Sequence, residues 1–199
     1  MFHPKIISRI IGLLLFIEAA FLVSAFAVSL YYKEAMLNTY FYSLGAMVGT
    51  GLLLTYIGRG KERNISRKDG YIVVTLCWII FSLFGAIPYY LSGSLPSVTD
   101  AFFETMAGFT TTGASVVSDL DALPRSLVFW RIMTQWIGGL GIVFFTVAVL
   151  PIFGLGDLHL FAAETIGIAR AKLHPRISVT ARWIMTIYVC LTIIEAVCL

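Results

Sequence analysis

Apolar residues fall in four long blocks along this chain, at 6–32, 40–57, 71–91 and 129–155, and a fifth begins near Arg182 and is still running at Leu199. Each approaches or exceeds the roughly 20 residues that a helix needs to cross a hydrocarbon core. Polar interruptions separate them: "YYKEAMLN" after the first block, "GRGKERNISRKDG" at 58–70 after the second, and a linker at 156–181 after the fourth. Between the third and fourth blocks the pattern differs. There a turn-rich "GSLPSVTD" leads into the short apolar "AFFETMAGF", and three threonines, a glycine and an acidic stretch follow. The fifth block has no polar end, so the chain is expected to be the amino-terminal part of a longer protein.

Composition strengthens this reading. Of the 199 residues 59% are hydrophobic and only 13% charged, where soluble domains carry about a quarter charged. An all-α polytopic membrane protein is predicted. The first block follows Lys5 and Arg9 like a signal peptide, but it is too long, contains Glu18 and lacks a clear small-residue cleavage site. It is read as a retained helix.

The basic residues orient the helices. Lys5 and Arg9, then Arg59, Lys61, Arg63, Arg67 and Lys68, then Arg170, Lys172, Arg176 and Arg182 all fall on one side if each block crosses once. Short loops rich in Lys and Arg stay in the cytoplasm. The amino terminus is therefore expected in the cytoplasm and residues 92–125 outside. The net charge of +3 reflects topology, and no nucleic-acid partner is expected, since no aromatic residues interleave these basics.

The outer segment carries the candidate chemistry. Pro96 with Thr99 or Asp100 is suited to start a helix, a side-chain oxygen capping the free amides. The nine residues of "AFFETMAGF" make a helix of about 14 Å, which can dip into a membrane but not cross it. Thr110, Thr111 and Thr112, all β-branched, and then Gly113 end it. Extended backbone at membrane depth is tolerated only where it is buried in protein or lines a watery cavity. Carbonyls lining such a cavity can replace the hydration shell of a monovalent cation. Gly113 offers the backbone freedom this needs, and the helix carboxyl end would favour a cation. Asp100, Glu104, Asp119 and Asp121 surround the outer mouth and would concentrate cations there.

"FFETMAGFTTTGAS" followed by "FWRIMTQWIGGLGIVFFTVAVLP" resembles the first pore repeat of the TrkH/KtrB family of bacterial potassium-uptake proteins. The likeness is closest over 100–151, and the additional amino-terminal hairpin is similar to the TrkH branch. The resemblance implies an accessory helical hairpin followed by a helix–pore loop–helix, potassium-channel-like repeat, one of four around a single pore. On that basis 1–70 is the hairpin with its basic loop, 71–155 the first repeat, and 156–199 a linker with the start of the second repeat. It implies a filter strand at Thr110, Thr111, Thr112, Gly113 and Ala114, potassium held at Thr111, Thr112 and Gly113, and Gly113 as the key position. It also implies potassium uptake in the bacterial inner membrane, a homodimer, and TrkA-like cytoplasmic nucleotide-binding regulatory subunits. No cofactor is expected beyond the transported ion. One glycine, against the two of a "TVGYG" filter, suggests a looser preference for potassium over sodium. A non-conducting accessory or assembly protein and a homo-oligomeric cation channel are the alternatives.

The remaining polar residues are weaker signals. "QWIGGLGI" has glycines inside an apolar block, no strand before it and no lysine after it, so helix packing is expected rather than phosphate binding. Glu18 and Glu195 are ionisable groups at membrane depth, and for Glu18 a hydrogen bond to another helix is expected. Cys77, Cys190 and Cys198, and His3, His159 and His174, lack metal-ligand spacing. No Ser/His/Asp set or paired-carboxylate cleft points to an enzyme.

Overall fold

The computed structural model describes residues 3–60, 67–149 and 174–198, and the regular elements among them are all helices. The end of the fourth apolar block, 150–155, and the part of the expected 156–181 linker up to residue 173 lie outside the described residues, and α7 begins at His174 within that expected linker. Two compact units divide the chain, Met1–Gly138 and Gly139–Leu199. Helices α1 (Pro4–Tyr31), α2 (Leu37–Ile57), α3 (Arg67–Gly85), α4 (Ile87–Leu91), α5 (Val98–Phe109), α6 (Arg125–Val149) and α7 (His174–Cys198) follow in order. Among the described residues, three stretches are long and apolar enough to cross a membrane: Pro4–Tyr31, Leu37–Ile57 and Asp69–Leu91.

The hairpin forms because α1 has one inward seam. Ile7, Ile11, Leu15, Glu18, Leu22, Ala25 and Ser29 are buried, at spacings of three or four that put them on one face. Leu13, Ile17 and Val23 point outward, as suits a lipid-facing surface. Glycines let α1 and α2 touch through their backbones, since a Cβ on Gly12 would stand 2.7 Å from the Gly51 carbonyl oxygen. Towards the other end of the hairpin, Phe26 stacks at 5.7 Å on the fully buried Tyr40.

The turn of the hairpin is a structural device. Lys33 has φ 54°, the amide of Lys33 donates to the Leu30 carbonyl, and that of Glu34 donates to the Ser29 carbonyl. This is a Schellman ending with lysine in the left-handed position that glycine usually takes. It aims the Glu34 carboxylate at the start of α6, where it accepts from the Ser126 amide at 3.3 Å and from the Ser126 hydroxyl. Beside it the Arg125 guanidinium lies 4.7 Å from the Tyr32 ring centroid. At the opposite end, the backbone amide of His3 and its Nδ1 meet the buried Asp69 carboxylate at 3.2 and 2.8 Å, tying the amino terminus to α3.

Behind α5, helix α3 gives way to α4 at Ala86. Pro88 has no amide hydrogen, so the carbonyl four residues before it loses its donor and the helix breaks. Nearby, the Gly85 carbonyl at the end of α3 accepts from the buried indole of Trp130 on α6 at 3.0 Å. Tyr89, Leu127 and Trp130 are fully buried or nearly so and share one core cluster with Ala101 of α5.

Candidate functional site

The site begins with a helix too short to span. At 12 residues, α5 is about 18 Å long. Its amino end is capped by Ser97, whose side chain accepts from the Asp100 amide at 3.4 Å. The cap is thus Ser97 rather than the expected Thr99 or Asp100, and α5 starts three residues before the apolar run because Val98, Thr99 and Asp100 complete its first turn. Glycine contacts seat α5 on its neighbours. A Cβ on Gly85 would come within 2.7 Å of Thr105 Cγ2, and one on Gly138 within 2.7 Å of the Phe109 carbonyl carbon. Gly138 therefore packs helix against helix, as expected for the "QWIGGLGI" segment.

The carboxyl end of α5 is a second Schellman motif. The Thr111 amide donates to the Gly108 carbonyl at 2.9 Å and the Thr112 amide to the Ala107 carbonyl at 3.0 Å. Thr111 sits at φ 54°, a genuine outlier for a β-branched residue. The chain then leaves the helix axis, and two residues later Gly113 adopts φ 76° with no heavy atom within 4 Å of where a Cβ would stand. Residues 110–115 are exposed and belong to no regular element. No backbone amide among the described residues donates to their carbonyls. The threonine hydroxyls serve each other: Thr110 Oγ1 donates to the Met106 carbonyl and pairs with Thr112 Oγ1 at 2.7 Å.

The four acidic residues expected at the mouth separate into two kinds. Asp119 and Asp121 are exposed, with Asp119 Oδ1 accepting from the Asp121 amide at 3.0 Å, and Asp100 is half-buried in the first turn of α5. Glu104 is buried. It accepts from Arg131 Nε at 2.6 Å, from Ser115 Oγ at 3.0 Å through each oxygen, and from the Val116 amide at 2.9 Å. Its charge is spent on Arg131 and on the strand behind it, not on the open mouth. Residue pattern did not bring Arg131, Ser115 and Glu104 together, although a cation inside the fourth apolar block called for a partner. Glu18, fully buried on α1, has no hydrogen-bond partner for either carboxylate oxygen among the described residues, so the expected helix-to-helix bond is not found.

Helices long and apolar enough to cross a membrane, with a short capped helix that is not, define a multi-pass helical membrane protein. The family model for TrkH, described as a cation transport protein, matches residues 34–199, and the chain belongs to that family. It is 38% identical over 191 residues to the Trk system potassium uptake protein TrkH of Halomonas elongata, covering 95% of this chain and 40% of that protein. It is 36% identical to the protein of the same name from Escherichia coli K12, covering 99% of this chain and 41% of the relative. The crystal structure of the potassium transporter TrkH from Vibrio parahaemolyticus superposes with a TM-score of 0.76 at 34% identity, over 97% of this chain and 38% of that one. The chain thus spans about 40% of the length of the curated relatives it matches. The family is one of cation transporters and not of enzymes.

Proposed function

We propose that this chain supplies the first helix–pore loop–helix unit of a potassium-uptake pore, with Thr110, Thr111, Thr112, Gly113 and Ala114 as one filter strand. The observation that carries this is Gly113 at φ 76° in a strand whose carbonyls take no backbone partner among the described residues. Such carbonyls are free to coordinate a dehydrated cation, with Thr111, Thr112 and Gly113 nearest the ion. Asp100, Asp119 and Asp121 raise the local cation concentration at the mouth. The relatives named as potassium uptake proteins support potassium as the cargo.

The wider organisation is part of the same reading. Residues 1–70 act as an accessory hairpin, 71–155 as the pore repeat, and 156–199 as the linker and the beginning of the next repeat. The amino terminus lies in the cytoplasm of a bacterial inner membrane, and the Glu34–Ser126 contact joins the hairpin turn and the start of α6 on the outer side. The full-length protein works as a lipid-embedded homodimer with a cytoplasmic nucleotide-binding subunit.

The test is growth on limiting potassium of a bacterium stripped of its own uptake systems. The full-length gene should rescue it, and Gly113→Asp should cancel the rescue at an unchanged protein level in the membrane. Rescue that survives Gly113→Asp would reduce residues 110–114 to an ordinary loop and favour a non-conducting accessory role.

A further inference from the structure

A strand with no ladder on either side has to be positioned by its ends. The inner end of residues 110–116 is fixed by backbone, through the Thr111 and Thr112 amides bonded to Gly108 and Ala107. The outer end is fixed by one side chain, since Glu104 takes the Val116 amide and the Ser115 hydroxyl together. Both anchors belong to α5. Only Gly113 and Ala114 lie between them, so the spacing of the carbonyls there follows from how firmly Glu104 is held. Arg131 on α6 holds it, in an ion pair whose side chains are 15% and 1% exposed. With so little solvent around it, the pair is screened far less than a surface one.

We propose that Glu104 is a positioning residue for ion selectivity, clamped by Arg131 and holding the strand through Ser115 and Val116. This rests on the filter reading above and adds to it a cause for discrimination between cations. Carbonyls held at one spacing replace the hydration shell of potassium better than that of the smaller sodium. If the outer anchor is released, the strand can close around sodium. Loss of the clamp should therefore change which ion passes more than how fast potassium passes. A purely structural ion pair would lower the amount of folded protein and leave the ratio alone.

The experiment reconstitutes the full-length transporter in vesicles and measures KM and maximal rate of influx for potassium and for sodium separately. Glu104→Gln keeps the shape but weakens the pair with Arg131 and the hold on Val116. Ser115→Ala removes only the hydroxyl contacts, on an exposed strand where misfolding is not at issue. The potassium-to-sodium ratio should fall about tenfold in Glu104→Gln, equivalent to about 1.4 kcal/mol, and by a smaller factor in Ser115→Ala. A selective wild type whose ratio survives in Ser115→Ala, and in whatever folded Glu104→Gln is recovered, overturns the clamp while leaving the filter standing. A wild type that admits sodium as readily as potassium overturns the filter reading, and the clamp with it.

Discussion

Gly138 on α6 lies against the backbone of Phe109 at the end of α5, so close that a Cβ on it would stand 2.7 Å from the Phe109 carbonyl carbon. The height and tilt of the short helix are thereby set by a residue with no side chain. Gly138→Ala should push the two helices apart at a cost of about 1–3 kcal/mol, as overpacking does elsewhere. Gly45→Ala on α2, where nothing lies within 4 Å of the added carbon, should instead gain up to about 1 kcal/mol from the better helix former. Thermal unfolding of the two detergent-solubilised variants checks this, and the midpoints should move in opposite directions.

Thr111 and Gly113 both adopt positive φ, at 54° and 76°, yet only one of them is a glycine. A side chain in the left-handed region costs roughly 1–2 kcal/mol, so Thr111→Gly should stabilise the fold and Gly113→Ala should destabilise it by a similar amount. No atom crowds the Gly113 position, so the penalty there is one of backbone conformation, not of space. Paired unfolding curves test the signs, and equal shifts of one sign would contradict them. On the filter reading proposed above, the threonine is kept at Thr111 despite this strain because its own atoms serve the ion, so Thr111→Gly is also expected to slow potassium uptake.

The short helix and the exit through Gly113 were both legible in the sequence, because each depends on neighbours within a turn: an apolar run too short to span, three β-branched residues, a glycine. The residue pattern places the helix start a few residues late, since Ser97, Thr99 and Asp100 all carry capping oxygens and only backbone geometry picks the one that accepts. The clamp was not legible at all. Glu104 and Arg131 are 27 residues apart and Glu34 and Ser126 are 92 apart, and periodicity contains no information about which distant polar groups meet. A residue pattern reports which face of a helix is apolar, but the partner of a buried charge is decided by the packing of whole helices. Glu104 shows the consequence, for sequence proximity groups it with the mouth aspartates while tertiary structure buries it.

Glu34 acts as a cap for a helix far away in sequence, and this contact is separable from the filter. Removing a carboxylate that accepts amides at a helix start costs about 1 kcal/mol. Glu34→Ala and Ser126→Ala should each lower stability by that order, and the double variant should lose little more than either alone. Such non-additivity is the signature of a shared contact. A double-mutant cycle on thermal stability measures it, and strictly additive losses would mean that the two residues act apart.

Glu18 gives the sharpest test of how this membrane core tolerates a polar group. It is fully buried on the α1 seam, its Oε1 lies 3.1 Å from where a Cβ on Gly85 would stand, and neither oxygen has a hydrogen-bond partner among the described residues. A carboxyl and an amide buried here without a partner bear a similar desolvation cost, and the two have nearly the same shape. Glu18→Gln should therefore unfold at about the same temperature as the wild type or higher, and should still support potassium uptake. Glu18→Ala empties the space beside Gly85 of α3, and truncations of that size cost about 2–5 kcal/mol. If the carboxylate instead makes an ionic contact that matters, Gln will fall with Ala, and the gap between the two midpoints will close. The expected order, Gln at or above wild type and Ala well below, assigns Glu18 to packing by volume and not by charge.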